Sequence, residues 1–153
     1  MICYAVNLAA RRARCDYIVY LNDDMVCCPG WDTALLARIK QIGQTMFMLF
    51  ATMIESVESG NPCVAVSDFG RDVQTFREAD WVKRAPVLVH ADGYGSTWPP
   101  TVLHREDWFK VSGYSSEFSP GMGSDNDFSM KMWNAGCRLS SGCRHEPGLS
   151  FSM

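Results

Sequence analysis

Two carboxylates follow directly after an apolar run near the start of the chain. Residues 17–21 are apolar or aromatic, and they are followed by Asn22, Asp23 and Asp24. Such a run predicts a buried β-strand, and α/β folds place ligands where these strands end. Adjacent carboxylates repel each other unless a cation or a donor offsets their charge, and oxygen ligands of this kind suit Mg²⁺ or Mn²⁺. The pattern indicates either a metal-assisted site for a phosphorylated substrate or an ordinary acidic turn.

A second pair of carboxylates, Asp125 and Asp127, follows the glycine-rich segment 112–123. The residues after this segment predict a helix that runs to Ala135, with Ser124 or Asp125 as its capping residue. The partial positive charge of a helix N-terminus stabilises ionised aspartate. Two explanations are open: a carboxylate site at the mouth of the helix, or two ordinary first-turn residues. An EF-hand is excluded because its glycine and later glutamate are absent at the required spacing.

Length and composition restrict the class of protein. The chain has 153 residues, of which 47% are hydrophobic and 20% charged, and its net charge is -3. These values predict a single folded domain over 1–153 and no nucleic-acid partner. We expect no signal peptide, because residues 1–7 lack a charged region followed by a long apolar one. We expect no transmembrane segment, because the most apolar window, 46–54, is too short to span a bilayer. Seven cysteines without zinc-type spacing predict free thiols and a cytoplasmic location.

Helix and strand patterns alternate along the chain, which predicts an α/β fold. Helices are predicted over 4–14, from residue 31 onward, over 105–111 and over 124–135, and strands over 17–21, 63–67, 87–89 and 101–104. The segment 68–86 is predicted to be irregular, and the segments 91–100 and 112–123 to be loops. Whether the second helix ends at Gly43 or continues toward Ser59 is open.

Four segments follow one another in an order that is typical of one enzyme family. They are Asn7-x-x-x-Arg11 through Asn22-Asp23-Asp24; Pro29-Gly30-Trp31 before a helix; Thr101 through Ser112-Gly113-Tyr114; and Gly123-Ser124-Asp125-Asn126-Asp127 through Gly136. In this order they resemble the DxD-type motif, the following helix, the Gly-Gly-Phe-type segment and the Glu-Asp-x-Asp-Leu helix start of family-2-type glycosyltransferases. The resemblance implies a partial GT-A fold, nucleotide-diphospho-sugar transferase-like, with a mixed sheet flanked by helices.

The resemblance also implies a role for each acid. Asp24 would coordinate a divalent ion, Mn²⁺ or Mg²⁺, which would act as a Lewis acid on the leaving diphosphate. Asn22 and Asp23 would hold the nucleotide of the sugar donor, for which a UDP-sugar is favoured. Asp125 would be the general base that deprotonates a hydroxyl of a carbohydrate or other acceptor in an inverting displacement.

Further site residues follow from the same resemblance. Tyr114, Trp98 and Asp127 would contribute to the acceptor side. Trp98 and Trp108 are each suited to stacking on a sugar face, and a buried core role explains each of them equally well. His145 is either a late metal ligand or a structural histidine.

The sequence departs from the family pattern in three places. Asn22 replaces the first acid of the DxD-type motif, and Ser124 replaces a glutamate. Only 21 residues precede Asn22, so we expect the nucleotide-binding β-α-β unit to be absent and one sheet edge to be open. The chain would then be half of a split transferase, a homodimer, or a non-catalytic GT-A remnant that serves as a binding or assembly module. A nucleotidyltransferase is disfavoured because no glycine-rich loop with a lysine lies near the N-terminus.

Overall fold

The computed structural model describes residues 2–43, 46–61, 64–88, 93–94, 99–141 and 150–152. The helices in these ranges are α1 Ile2–Arg12, α2 Trp31–Ile42, α3 Glu78–Arg84, α4 Arg105–Lys110 and α5 Ser124–Asn134. The strands are β1 Tyr17–Tyr20, β2 Val26–Cys27, β3 Phe47–Phe50, β4 Thr52–Glu55, β5 Val64–Val66, β6 Gly93–Tyr94, β7 Thr101–His104, β8 Arg138–Ser141 and β9 Ser150–Ser152. Two short 3₁₀ helices lie at Ala85–Val87 and Ser116–Phe118.

The strands form two mixed sheets. The larger sheet has the order β1-β7-β3-β8-β6, in which β3 and β8 are parallel and the other neighbours are antiparallel. The smaller sheet has the order β2-β9-β4-β5, in which β4 is parallel to both of its neighbours. The mixed sheets and their helices confirm the predicted α/β class. Among the described helices, none is long and apolar enough to cross a membrane.

Helices cover both faces of the larger sheet. Met48 and Leu103 point to one face, where they pack with side chains from α1, α4 and α5. Leu49 and Val102 point to the other face, where they pack against α2. Because β3 is buried on both faces, its sequence is a continuous apolar run rather than an alternating one. This explains the apolar window 46–54, which forms β3 and most of β4.

Several predicted elements are confirmed with small changes at their ends. The helix predicted over 4–14 is α1, and the strand predicted over 101–104 is β7. The second helix ends at Gly43, which has a φ of 61° and donates its N–H to the carbonyl of Ile39. Glycine adopts this left-handed conformation without the strain that a Cβ causes, so it stops the helix there.

Two predictions on 68–89 are wrong. The segment 68–86 contains α3, whose acidic first turn and basic last turn complement the helix dipole. Trp81 on α3 is buried against Phe69 and Ile54 of a third apolar cluster, so packing stabilises this short helix. The strand predicted over 87–89 is not formed by its described residues. Val87 ends the 3₁₀ helix Ala85–Val87, and Leu88 is its C-terminal capping residue.

β1 is an edge strand of the larger sheet. It pairs with β7 and with no other described strand. Val19 is 37% exposed, so the prediction of a strand buried on both faces is wrong for β1. A groove of about 520 Å³ lies between β1 and α1, and small side chains such as Ala5 and Ala9 line it.

The position of Leu103 predicts the effect of a core substitution. Leu103 is fully buried on β7, between β1 and β3. Leu103→Ala should lower the free energy of unfolding by about 3 kcal/mol, because it leaves a cavity in a packed core. The matched control is Leu36→Ala on α2, where Leu36 is 50% exposed, and it should change that free energy by less than about 1 kcal/mol. Urea unfolding measures both, and equal losses would contradict this description of the core.

Candidate functional site

The first acid motif forms the turn that follows β1. Asn22 is partly buried, whereas Asp23 and Asp24 are exposed. Asp24 also lines a cavity of about 670 Å³, which it shares with Glu55 at the end of β4. The turn therefore presents two carboxylates to solvent where the edge strand ends.

The second acid motif forms the first turn of α5. The capping residue is Gly123, with a φ of 79°, and its carbonyl accepts the N–H of Asp127 at 3.0 Å. The prediction that Ser124 or Asp125 caps this helix is wrong. Ser124 donates its hydroxyl to the carbonyl of Gly121 at 2.6 Å, and Asp125 has a different partner. A glycine cap leaves the first-turn carboxylates available for other contacts.

Tyr114 connects Asp125 to the hydrophobic core. The Tyr114 hydroxyl donates to Oδ1 of Asp125 at 2.7 Å, and the residue is only 4% exposed. Its ring stacks on Phe128 with the centroids 4.8 Å apart and lies 5.5 Å from the ring of Trp108. Trp108 is 2% exposed, so its interpretation as a sugar-stacking residue is wrong and the core interpretation holds.

Burial dominates the ionisation of this pair. Burial raises the pKa of Asp125, and the hydrogen bond from Tyr114 lowers it in part. Burial and the charge of Asp125 raise the pKa of Tyr114, so its hydroxyl remains a donor at neutral pH. Asp125 therefore has the raised proton affinity that a general base requires.

Asn7 on α1 fixes the backbone of Tyr114. Its Nδ2 donates to the Tyr114 carbonyl at 2.7 Å, and its Oδ1 accepts the Tyr114 N–H at 2.9 Å. The preceding residue, Gly113, has a φ of 65°, and a Cβ there would collide with the side chains of Asn7 and Trp108. The glycine of the predicted Gly-Gly-Phe-type segment is thus required by close packing. Sequence reasoning did not identify Asn7 as the partner of this segment.

Asp127 belongs to a separate polar network. It accepts the Ser115 hydroxyl at 2.7 Å and forms an ion pair with Lys131 at 3.4 Å. Lys131 also donates to Ser115 at 3.0 Å and to the carbonyl of Gly113. These contacts tie the loop 112–116 to α5. The acceptor-side role of Asp127 stays a prediction.

Tyr20 connects the segment of the first acid motif to that of the second. It is the last residue of β1, and its ring lies 5.8 Å from the ring of Tyr114. Burial, followed by the charges of Asp125, Cys3 and Asp23, raises the pKa of Tyr20 to about 12. Because Tyr20 lies two residues before Asn22 and its ring contacts Tyr114, which holds Asp125, the fold brings the two motifs into one region. Tyr20 lies on the same face of β1 as Ile18, and both pack in the core cluster that contains Tyr114. This alternation in the sequence could have predicted that Tyr20 faces the second motif.

Two predicted site residues, Trp98 and His145, lie outside the described residues. Among the described residues, no three His, Cys, Asp or Glu side chains are close enough to hold one metal ion. Mg²⁺ is commonly bound through one or two carboxylates together with substrate phosphates. The exposed pair Asp23 and Asp24 fits an ion that arrives with a diphosphate, because such an ion needs no complete protein cage.

Comparison with known proteins agrees with the first two motifs. Residues 2–68 match the model of glycosyl transferase family 2. This segment includes α1, β1, both exposed aspartates and α2, whereas Asp125 and α5 lie outside it. The search of curated proteins returned no match. The partial match confirms the resemblance to family-2-type glycosyltransferases, and together with the mixed sheet it supports a GT-A-like fold.

Removing the Asn7 side chain tests how the site is held. Asn7→Ala removes both hydrogen bonds to the backbone of buried Tyr114 and leaves that N–H and carbonyl unpaired. The free energy of unfolding should fall by about 2 kcal/mol. Asn7→Asp keeps the Oδ1 acceptor but sets a carboxylate oxygen against the Tyr114 carbonyl in place of the Nδ2 donor, so its loss in urea unfolding at neutral pH should be at least as large. An alanine variant as stable as the parent would show that the two bonds contribute nothing.

The raised pKa of Asp125 predicts a pH-dependent stability difference. Between its ordinary value of 3.8 and the raised folded value, the folded chain binds more protons than the unfolded chain. The contribution of Asp125 to stability therefore falls as the pH rises through that window. Asp125→Asn keeps an acceptor for Tyr114 and does not titrate.

Relative to the parent, Asp125→Asn should gain stability as the pH rises from about 3 through the raised folded pKa of Asp125. Urea unfolding at several pH values measures this difference. Asp32→Asn on α2 is the control for the loss of an exposed carboxylate. A difference that is constant with pH, or that shrinks as the pH rises, would contradict the burial of an ionising Asp125.

Proposed function

We propose that this chain, whose residues 2–68 match glycosyl transferase family 2, carries the catalytic site of a metal-dependent inverting glycosyltransferase. It would transfer a sugar from a nucleotide-diphosphate sugar, with a UDP-sugar favoured, to an acceptor hydroxyl. The contact between Tyr20, at the end of β1 before the first motif, and Tyr114, whose hydroxyl holds Asp125, carries this proposal. One motif then serves the donor and the other serves the acceptor across a single site.

The turn after β1 is the donor side. Asp24 would hold Mn²⁺ or Mg²⁺, with Asn22 and Asp23 on the nucleotide. An ion held there would supply Lewis-acid stabilisation of the leaving diphosphate. Two adjacent exposed carboxylates repel each other, and a cation offsets that repulsion. Donor and ion should therefore bind together.

The first turn of α5 is the acceptor side. Tyr114 occupies Oδ1 of Asp125, which leaves Oδ2 to accept the proton of the acceptor hydroxyl. The acceptor oxygen then forms a bond to the anomeric carbon as the bond to the diphosphate breaks, and the configuration inverts. Because Tyr114 is fixed by Asn7 and by stacking on Phe128, the base keeps one orientation.

The alternative is a binding or assembly module without catalysis. The open edge of β1 and the groove between β1 and α1 favour it, since a second copy of the chain or a complementing chain would cover that face. The free cysteines among the described residues are typical of a reducing compartment, which supports a cytoplasmic location for either function.

Titration of UDP into the protein with Mn²⁺ tests the donor side. Binding should be lost with EDTA and weakened about tenfold or more in Asp24→Asn, because the carboxylate that holds the ion is gone. Asp125→Asn and the control Asp32→Asn should keep the parent affinity. UDP binding that is unaffected by EDTA and by Asp24→Asn would contradict the proposed donor site.

An assay of sugar transfer distinguishes the proposed enzyme from the binding module. In an acceptor screen with UDP-sugars, Asp125→Asn should lower the transfer rate by about a hundredfold or more, since a general base contributes that much. Donor binding without transfer to any acceptor would favour the non-catalytic module.

A further inference from the structure

A second feature of the donor side is the cavity that begins at Asp24. Its volume is about 670 Å³, which is within the range of small-molecule sites. One wall is the end of β4 with Glu55 and Val57, and the opposite wall is the segment 70–76. The cavity is therefore continuous with the proposed donor site but extends well beyond the two exposed carboxylates.

The segment 70–76 is held in place by its own hydrogen bonds. The N–H and the hydroxyl of Thr75 both donate to Oδ1 of Asp72 at 2.8 Å. Arg77 donates its N–H to the carbonyl of Phe69 at 2.6 Å, which closes the base of the loop. Gly70 has a φ of 113°, and a Cβ there would collide with the backbone of Thr75. This wall has a defined shape without a ligand.

Polar groups are spread around the cavity. Glu55 is partly buried, and its carboxylate has no hydrogen-bond or ion-pair partner among the described residues. Asp72 has its Oδ2 atom available, and its hydrogen bonds with Thr75 lower its pKa and keep it ionised. Arg71 also lines the cavity; its Nε lies 3.9 Å from Oδ2 of Asp68, and its side chain is largely exposed. Among the described residues these carboxylates do not form a three-ligand metal cluster. Because they are separated hydrogen-bond acceptors, they suit a ligand with several separated hydroxyl groups.

Apolar surface lies between these polar groups. Val73 is 90% exposed, Val57 57% and Val26 40%, and Phe76 also lines the cavity. A pyranose ring presents hydroxyl groups at its rim and C–H groups on its faces. Carboxylates accept the hydroxyl protons, the arginine donates to hydroxyl oxygens, and apolar side chains cover the C–H face.

We propose that this cavity is a saccharide subsite in which Glu55, Arg71 and Asp72 determine sugar specificity. The proposal rests on the proposed function, because it places a substrate sugar beside Asp24. The sugar belongs either to the nucleotide-sugar donor or to a glycoside acceptor. Both sources share the same ring chemistry, and the experiment separates them.

The experiment follows amide NMR signals of the described wall, with Gly70 and Val73 as reporters. One arm compares UDP with UDP-glucose, UDP-galactose and UDP-N-acetylglucosamine, all with Mn²⁺. The other arm uses the methyl glycosides of the same three sugars. The reporters should shift with at least one UDP-sugar beyond the shift with UDP, or with at least one methyl glycoside.

Matched variants identify the residues that contact the sugar. Glu55→Gln and Asp72→Asn should each weaken that sugar-dependent binding about fivefold, the effect of one net hydrogen bond. Their affinity for UDP with Mn²⁺ should stay within about twofold of the parent. Glu58→Gln, an exposed glutamate outside the cavity, should change neither affinity.

The outcomes separate the two proposals. UDP binding with no sugar-dependent shift at Gly70 or Val73 in either arm overturns the subsite and leaves the proposed function standing. A glycoside that shifts these amides and is weakened by Glu55→Gln supports the subsite even when UDP does not bind, and the proposed donor site then fails. Equal effects of Glu55→Gln and Glu58→Gln overturn the assigned specificity residues.

Discussion

The pair of hydrogen bonds between the Asn7 side chain and the backbone of Tyr114 joins α1 to the loop that precedes α5. Asn7 lies on the first helix, and Tyr114 lies in the loop before the last helix. With its backbone fixed, Tyr114 can stack on Phe128 and hold Asp125 at the same time. The orientation of Asp125, the proposed base, therefore depends on a residue of α1 that it does not touch. This dependence connects the segment that matches glycosyl transferase family 2 to the motif that lies beyond it.

The same arrangement explains why the pKa of Asp125 is raised. Burial disfavours its charge, and one hydrogen bond from Tyr114 offsets part of that effect. A fully paired carboxylate would hold its proton too weakly to act as a base near neutral pH. Asp127, two residues further along α5, has Ser115 and Lys131 as partners, and these contacts tie the loop 112–116 to α5. Two aspartates in one helical turn thus have different chemistry because their surroundings differ.

Sequence reasoning identified the elements whose signals are local. The helix predicted over 4–14 and the start of α2 after Pro29-Gly30 follow from periodicity and turn residues, whereas the end of α2 stayed open until the structure placed it at Gly43. It failed for 68–86, because α3 is short and depends on the burial of Trp81 against residues that are distant in sequence. It described β1 as buried, because an apolar run does not show whether a neighbouring strand is present. For the site it predicted both acid pairs, and the structure brings their segments together through Tyr20 and Tyr114. The contact of Asn7 with Tyr114 depends on tertiary packing that the sequence does not display.

The distribution of carboxylates separates two parts of the proposed site. Asp125 lies in a packed region where an aromatic core and Asn7 fix its orientation. Asp24 lies on an exposed turn beside a cavity whose far wall is stabilised by hydrogen bonds within the segment 68–77. A base must be held rigidly, because proton transfer requires a narrow range of distance and angle. The proposed saccharide subsite needs only a defined shape with available acceptors, so changes in the segment 70–76 would alter its sugar preference while the core around Asp125 stays the same.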